Sequence, residues 1–184
     1  MNKPRIPTKP KDELDGITRD AFDTFLDPER WPNVFATLAQ HPALCQGWIP
    51  FARHVLSTSS STISIRDREI VILRIGFLCQ AEYEWAQHVR LARKEGFSEQ
   101  EIEQIKAGPD ADGVSEQDAL LLRATDQLHQ KAKISDDVWQ ALTAYYNTQQ
   151  MMDIVFAVGN YNLVSMALNS FGVQLDEGLK GDFQ

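Results

Sequence analysis

Two consecutive helical patterns between residues 64 and 106 constrain the fold of this chain more than any other feature. Residues 70–78 are almost entirely apolar, and a helix of that composition is typical of one buried on all sides in a protein core. A second, amphipathic pattern runs from about Ala81 to Glu95, and Gly96 is typical of the residue that follows the end of a helix. We therefore expect the first of these helices to lie in the core of the fold.

The rest of the chain is predicted to form further helices separated by short loops. Ser98 and Glu101 form a capping box, which indicates a helix start. Asp27 and Pro28 end an earlier helix, because the residue before a proline disfavours helical backbone. No segment shows the alternation of a strand or the turn of a hairpin, so the sequence predicts an all-α fold. The further helices are expected at roughly residues 18–26, 31–40, 43–56, 98–106, 115–133, 135–142 and 148–172.

Two pairs of segments are similar to each other within the chain. Residues 68–75 are similar to residues 117–124, and residues 97–105 are similar to residues 134–142. Two related helical halves stacked on one another would explain both matches. Chance similarity between capped amphipathic helices would explain them equally well, because capping signals recur in any helical protein.

Residues 1–16 differ from the rest in carrying three prolines among basic side chains. We expect them to form an extended arm that is flexible unless a partner chain holds it. The arm has no apolar run and is therefore not typical of a signal peptide. Residues 17–184 have the length of a single helical domain.

Composition excludes several classes of function. A net charge of -8 argues against nucleic-acid binding. The apolar stretches are shorter than a membrane span, so no membrane interaction is expected. Cys45 and Cys79 form no CxxC pair, and so few cysteines favour a reducing compartment. The sequence thus predicts a cytoplasmic protein whose partner is a small-molecule substrate.

One pair of side chains on the second helix has the spacing for acid–base chemistry. Glu84 and His88 are four residues apart, so they can hydrogen-bond on one face of the helix. Burial beside Trp85 would place the histidine in a low-dielectric site, where a carboxylate stabilises its charged form. Such a pair can relay protons near neutral pH. A purely structural ion pair is the alternative, because pairs with this spacing are common on helices.

Other candidates carry weaker signals. Glu69 lies near the start of the buried helix, where a carboxylate is also favourable to the helix dipole. His41 precedes a proline and suits a polar helix cap, while His54 and His129 have polar neighbours in helices. Local metal-binding, phosphate-binding and serine-nucleophile motifs are absent from the sequence, so no metal or cofactor is expected.

Residues 68–88 resemble the core motif of the carboxymuconolactone decarboxylase/AhpD family. That motif has a glutamate, eleven residues, a cysteine, two residues, a second cysteine, three residues and a histidine. Glu69 and His88 stand at the glutamate and histidine positions, whereas Ala81 and Glu84 occupy the two cysteine positions. The chain is therefore similar to the decarboxylase branch of the family, which lacks the cysteine pair and uses no cofactor.

The resemblance extends over roughly residues 30–177, with supporting similarity at residues 95–102 and 159–173. It implies an AhpD-like fold of antiparallel helices that assembles as a homo-oligomer, either a trimer or a hexamer, with the active site near a subunit interface. In an acid–base enzyme of this kind, His88 would shuttle a proton, Glu84 would orient and polarise it, and Glu69 would be a second acid or base. Tyr83 and Trp85 would shape the substrate pocket.

Three functions are compatible with this resemblance. The favoured one is a cofactor-free lyase or isomerase that acts on a small lactone or organic acid. The second is a non-catalytic binding or assembly protein that kept the fold. The third is a peroxidase that uses Cys79, which the missing cysteine pair disfavours. An open cavity beside His88 would favour catalysis, while a fully packed environment would favour the non-catalytic protein.

Overall fold

The computed structural model describes residues 3–23, 31–181 and 183. These residues form nine α-helices and one 3-10 turn, with no β-strand, so the all-α prediction is confirmed for the described part of the chain. The helices are α1 (Gly16–Asp23), α2 (Asn33–Leu38), α3 (Pro42–Leu56), α4 (Ile65–Leu78), α5 (Glu82–Lys94), α6 (Glu99–Ala107), α7 (Glu116–Lys131), α8 (Asp136–Leu142) and α9 (Thr148–Phe171).

Helix α4 forms the centre of the core, as the apolar run predicts. Its first turn is capped by the Ser64 hydroxyl, which accepts a hydrogen bond of 3.0 Å from the backbone N–H of Asp67. The apolar side chains of residues 70–75 are at most 1% exposed. Helices α7, α5, α9 and α6 pack around it. A helix surrounded in this way has no polar face, which explains why the sequence shows no amphipathic pattern there.

A tight turn returns the chain from α4 to α5. Gln80 adopts a left-handed backbone conformation with φ of 51°. Gly76 of α4 faces Glu84 of α5, and a Cβ atom at that position would lie 3.6 Å from Cγ of Glu84, an ordinary van der Waals distance. The turn thus places Glu84 against Gly76 in the second half of α4 and His88 against Glu69 in the first half.

Helix α9 packs against α3, α4, α5 and α7. It begins with a capping box between Asn147 and Gln150, and it ends at Gly172, which has the positive φ expected there. By length and composition this helix could cross a membrane, contrary to the expectation from the apolar stretches, but half of its most apolar window is buried inside the molecule. Such burial is typical of the core helix of a globular protein.

The N-terminal arm lies along its own chain. The backbone N–H groups of Arg5 and Ile6 donate to the carbonyl of Phe171 at 2.8 and 3.1 Å, and that of Lys9 donates to the carbonyl of Ala36 at 2.8 Å. The arm therefore closes over the end of α9 and over α2. The contacts that hold the arm come from the same chain, whereas from the sequence we expected a partner chain to be needed to hold it.

Two local predictions differ from the structure or extend beyond its described part. An inward-facing Trp139 is the expectation from the sequence, but this side chain is 41% exposed, because the short helix α8 buries only Val138 and Leu142, which are four residues apart. The helix predicted at residues 18–26 corresponds to α1, and its predicted end at residues 27–28 lies outside the described residues.

Candidate active site

The three predicted catalytic side chains meet in one buried cluster. Glu69 comes from the second turn of α4, and Glu84 and His88 come from successive turns of α5. Nδ1 of His88 lies 2.6 Å from Oε2 of Glu69, and Nε2 of His88 lies 2.9 Å from Oε1 of Glu84. The three side chains are between 2% and 6% exposed. The imidazole therefore bridges two carboxylates, one from each helix.

The two carboxylates determine the charge of the histidine. Burial by itself would lower the pKa of His88, but the negative charges of Glu69 and Glu84 and their hydrogen bonds raise it to about 10. At neutral pH the ring is an imidazolium that donates one hydrogen bond to each carboxylate. One positive and two negative charges leave the cluster with a net charge of -1.

A cavity of about 590 Å³ lies beside the cluster. Glu69, Glu84 and His88 all line it, and its other walls include residues of α2, α3 and α9. Exposed side chains such as Arg53 and Glu95 also line it, so the cavity reaches the surface. The environment of His88 is thus an open cavity and not a fully packed core.

Arg68 brings a cation into the same cavity. Its side chain is 7% exposed, and its Nη1 donates a hydrogen bond of 2.9 Å to the carbonyl of Leu56. Its Nε lies 3.6 Å from Oε1 of Glu69 and makes no hydrogen bond. A guanidinium that lines a cavity can bind an anionic group of a ligand.

Tyr161 of α9 covers the histidine. Its ring contacts that of His88 edge to face, with the centroids 4.9 Å apart. Burial, together with the charges of Glu84 and Glu69, raises the pKa of its hydroxyl well above the usual value, so Tyr161 stays protonated. Sequence reasoning missed both Tyr161 and Arg68. Tyr161 lies within residues 159–173, whose similarity to the family was the only signal that could have drawn attention to it.

Tyr83 lines the cavity as predicted, but its hydroxyl is engaged in hydrogen bonds with other segments of the chain. It donates a hydrogen bond of 3.0 Å to Asp176 and accepts one of 3.3 Å from the backbone N–H of Val34. Burial and the charge of Asp176 raise the pKa of this hydroxyl. Gln87 donates to the same carboxylate. Tyr83 therefore holds the segment after α9 and the start of α2 against α5.

Trp85, expected to shape the pocket, lies outside the lining of this cavity. Trp85 is 2% exposed and is not among the cavity-lining residues. Its ring packs against Phe77 and Phe183, with centroid distances of 5.7 and 6.2 Å. The physical reason is that residues three apart on a helix diverge by about 60°. This divergence is enough for Trp85 to enter the core while His88 faces the cavity.

Neither cysteine lines the cavity. Both are free; Cys45 is buried among the residues of the N-terminal region, and Cys79 lies at the C-cap of α4. Burial raises the pKa of Cys45 to about 11 and also raises that of Cys79. A raised pKa leaves little thiolate at neutral pH, which disfavours thiol chemistry.

The remaining histidines have structural partners. His41 caps α3, since its Nδ1 accepts a hydrogen bond of 3.3 Å from the backbone N–H of Leu44, which confirms the capping prediction. His54 pairs with Asp153 at 3.2 Å. His129 lies 3.8 Å from the sulfur of Cys79. None of these three histidines reaches the cavity.

Solved structures share this all-helical architecture. An uncharacterised peroxidase-related protein from Silicibacter sp. TM1040 matches over all of both chains, with a TM-score of 0.81 and 17% identity. A peroxidase-related protein from Ralstonia eutropha JMP134 with an alkylhydroperoxidase AhpD core matches 96% of this chain and 94% of its own, with a TM-score of 0.82 and 15% identity. The fold is therefore that of the AhpD-like helical proteins.

A third similar structure is the debrominase Bmp8 in complex with 2,3,4-tribromopyrrole, in a variant with one cysteine replaced by alanine. It matches 96% of this chain and 94% of its own, with a TM-score of 0.74 and 14% identity. No curated protein sequence matches the chain. The sequence model of the carboxymuconolactone decarboxylase family matches residues 42–127, which include α3 to α6 and all three members of the Glu–His–Glu cluster. Residues 42–127 therefore match the carboxymuconolactone decarboxylase family, and the fold that contains them is AhpD-like.

Proposed function

We propose that this protein is a cofactor-free enzyme that moves a proton on a small lactone or organic acid. The observation that carries the proposal is the imidazolium of His88, held between Glu69 and Glu84 at the wall of a cavity of about 590 Å³. Burying charged groups costs free energy of desolvation, and such groups with shifted pKa values are found mostly at functional sites. A packed remnant of a lost site would not require the cavity.

The geometry favours Glu84 as the group that exchanges a proton with the substrate. Oε1 of Glu84 accepts from His88, while Oε2 has no hydrogen-bond partner among the described residues. His88 cannot act as a base in its protonated form, since both ring nitrogens already carry protons. We therefore assign His88 to hold and polarise the two carboxylates, and Glu69 to fix the ring from the other side.

The proton balance is simple for both reactions. In isomerisation, Glu84 removes a proton from the carbon next to a carbonyl and returns it to another carbon of the resulting enolate. In decarboxylation, the carbon–carbon bond to the carboxylate breaks and carbon dioxide leaves. The electron pair of that bond stays on the substrate as an enolate, which takes a proton from the neutral acid form of Glu84. Decarboxylation therefore requires Glu84 to be protonated at the start, with the proton resupplied from solvent after each turnover.

Arg68 supports an anionic substrate. Arg68 lines the same cavity as the carboxylate cluster, and a guanidinium binds carboxylate and enolate oxygens through paired hydrogen bonds. We infer that Arg68 anchors the acid group or the developing enolate oxygen. Without such a cation, the net charge of the Glu–His–Glu cluster would repel an anionic substrate.

Thiol peroxidase activity is less well supported. Ala81 and Glu84 occupy the positions of the redox cysteines, and Cys79 lies outside the cavity lining. The debrominase among the similar structures was solved with a cysteine replaced by alanine, and this chain has no cysteine in the cavity to supply an equivalent group. A non-catalytic binding protein remains the second candidate, since the cavity could bind a ligand without converting it.

The test is a screen of lactones, β-keto acids and their carboxymuconolactone-type derivatives. Turnover is measured in two ways: as carbon dioxide release, and as incorporation of solvent deuterium detected by NMR. Glu84→Gln should reduce turnover by at least 10²-fold, roughly the usual scale of a lost general acid or base. Glu82→Gln is the matched control, because Glu82 is an exposed carboxylate on the same helix. It should retain wild-type turnover.

Two results would contradict the proposal. Wild-type turnover in Glu84→Gln would remove that carboxylate from the chemistry. Ligand binding by calorimetry without any turnover or deuterium exchange across the panel would identify the protein as a binder. Arg68→Met should weaken binding of the acids but not that of the corresponding neutral lactones.

A further inference from the structure

The middle of helix α9 carries a buried polar side chain that the proposed function does not use. Asn160 is 5% exposed and lies within residues 154–164, which are mostly apolar. Asparagine is a poor helix former in the interior of a helix, and burying its amide costs free energy unless hydrogen bonds compensate. Helix formation and apolar packing therefore do not explain an asparagine at this position.

The orientation of the Asn160 amide is determined by Trp48 of α3. Nε1 of Trp48 lies 3.0 Å from Oδ1 of Asn160. An indole N–H can only donate a hydrogen bond, so the amide must present its oxygen to Trp48 and cannot be flipped. The indole ring is itself held by Phe35, with the ring centroids 6.4 Å apart, and by the buried cluster that contains Val164. The NH₂ group of Asn160 is thus directed away from Trp48.

The NH₂ group of Asn160 is available to a ligand. Nδ2 makes no hydrogen bond with any described residue, and it is not fully enclosed by protein atoms. Because Asn160 lines the cavity of the candidate site, these N–H groups are open to the cavity. The hydrogen bond that Oδ1 accepts from Trp48 polarises the amide, which makes its N–H groups better donors. The cavity therefore contains an oriented, uncharged hydrogen-bond donor.

This donor lies on the part of α9 that meets the Glu–His–Glu cluster. Asn160 directly precedes Tyr161, whose ring contacts that of His88 with the centroids 4.9 Å apart. Glu84 and Asn160 line the same cavity. Removal of a proton from the carbon next to a carbonyl places negative charge on the carbonyl oxygen, and a fixed donor stabilises that charge. The cavity thus combines a carboxylate that can exchange a proton with an amide that can bind the oxygen.

We propose that the side-chain amide of Asn160, oriented by Trp48, binds the carbonyl oxygen of the ligand. The catalytic role of this contact rests on the proposed function, in which Glu84 takes a proton from the carbon next to that carbonyl. The electron pair of the broken carbon–hydrogen bond moves to the carbonyl oxygen, which becomes the enolate oxygen. Asn160 donates a hydrogen bond to it and loses no proton. Arg68 is then left to bind the acid group.

The first test compares two acids that differ only in a carbonyl group, levulinate (4-oxopentanoate) and pentanoate. NMR titration gives the ratio of their affinities. That ratio should be roughly fivefold lower in Asn160→Leu than in wild type, the usual scale of one net hydrogen bond. Asn160→Asp keeps the acceptor for Trp48 but has no N–H group, so it should also lower the ratio. Asn169→Leu changes an exposed asparagine of the same helix outside the cavity and should preserve it.

Trp48→Phe separates a donor from a structural pair. It breaks the same hydrogen bond as Asn160→Leu but keeps the NH₂ group, so it should lower the affinity ratio by less than twofold. A structural pair would respond equally to both substitutions. The ¹³C signal of levulinate labelled at the keto carbon should also move downfield on binding to wild type but not on binding to Asn160→Leu, because a hydrogen bond at the oxygen draws electrons from this carbon.

Turnover provides the second readout. For the acid that is converted fastest, Asn160→Leu should reduce kcat by roughly 10²-fold, the scale of one lost donor to an enolate-like oxygen. An unchanged affinity ratio in Asn160→Leu, or an equal fall in Trp48→Phe, would overturn the role of Asn160. Failure of the proposed function would look different, since wild type would then show no turnover while the ratio still fell in Asn160→Leu. Circular dichroism verifies that each variant is folded.

Discussion

Nδ1 of His88 lies 2.6 Å from Oε2 of Glu69, although the two residues are 19 positions apart and belong to different helices. The contact exists because the turn at Gln80 returns the chain so that α5 packs against α4. It changes the histidine from a neutral side chain into a buried cation at neutral pH. The stability of the helical hairpin and the charge of the candidate site are therefore coupled.

That coupling predicts a pH dependence of stability. The pKa of His88 is about 10 in the folded protein and about 6.5 in the unfolded chain, so the folded state binds the proton more tightly. The stabilisation is fully present below about pH 6.5 and is lost as the pH rises towards 10. Chemical denaturation at intervals across this pH range should show a steady fall in the free energy of unfolding.

His88→Gln supplies the control for this pH dependence. It removes the titrating group, so the difference in stability between wild type and variant should shrink as the pH approaches 10. His54→Gln changes a histidine that is 43% exposed and should preserve the wild-type slope. Equal slopes in wild type and His88→Gln would show that another group causes the pH dependence.

A second prediction concerns the glycine between the two helices. In Gly76→Ala the added methyl group would meet Cγ of Glu84 at 3.6 Å, an ordinary van der Waals contact. Because alanine is the better helix former, the variant should be more stable than wild type by roughly 0.5–1 kcal/mol. Gly76→Leu should instead be destabilised by about 1–3 kcal/mol, since its longer side chain displaces Glu84. Urea denaturation distinguishes the two, and a destabilised Gly76→Ala would contradict this packing of α5 on α4.

A third prediction concerns Arg74, which ties α4 to its neighbours. Its guanidinium makes two hydrogen bonds of 2.6 and 2.9 Å with Asp126, and it donates to the carbonyls of Ile105 and Lys106 at the end of α6. Arg74→Met should cost roughly 3 kcal/mol in the free energy of unfolding, because it leaves a largely buried carboxylate without its cation.

The matched control for Arg74 is a similar ion pair at the surface. Arg123 pairs with Asp110 at 2.9 Å, but the two side chains are 41% and 83% exposed. The free energy of unfolding of Arg123→Met should therefore be close to that of wild type, because exposed ion pairs contribute little to stability. Equal losses in Arg74→Met and Arg123→Met would contradict a central role for the buried pair.

The elements of this fold could be predicted well from the sequence, because they depend on local patterns. The apolar run of residues 70–78 identified the central helix, Ser98 and Glu101 identified the start of α6, and Gly96 identified the end of α5. Each of these signals lies within a few residues of the feature it specifies. The family motif then related Glu69 to His88, which no local pattern could do.

The remaining parts of the site depend on distances between elements that are far apart in the chain. Tyr161 covers His88 from a helix more than seventy residues later, and nothing in its neighbourhood distinguishes it from a core tyrosine. The helical period places Trp85 beside His88 on a shared face, yet this side chain belongs to the core. The charge of His88 could be predicted only once both carboxylates were located, because a Glu84–His88 pair alone is a common arrangement on helix surfaces.

The charge of His88 can be measured directly by long-range ¹H–¹⁵N NMR of the protein labelled on histidine. His88→Gln identifies the signals of this ring among those of the four histidines. At about pH 8, well above the ordinary histidine pKa, we expect both ring nitrogens of His88 to be protonated while exposed histidines are neutral. Deprotonation of His88 should come only as the pH nears 10. A His88 ring that is already a neutral tautomer under those mildly alkaline conditions, with one nitrogen unprotonated, would contradict the central claim that two carboxylates hold it as a cation.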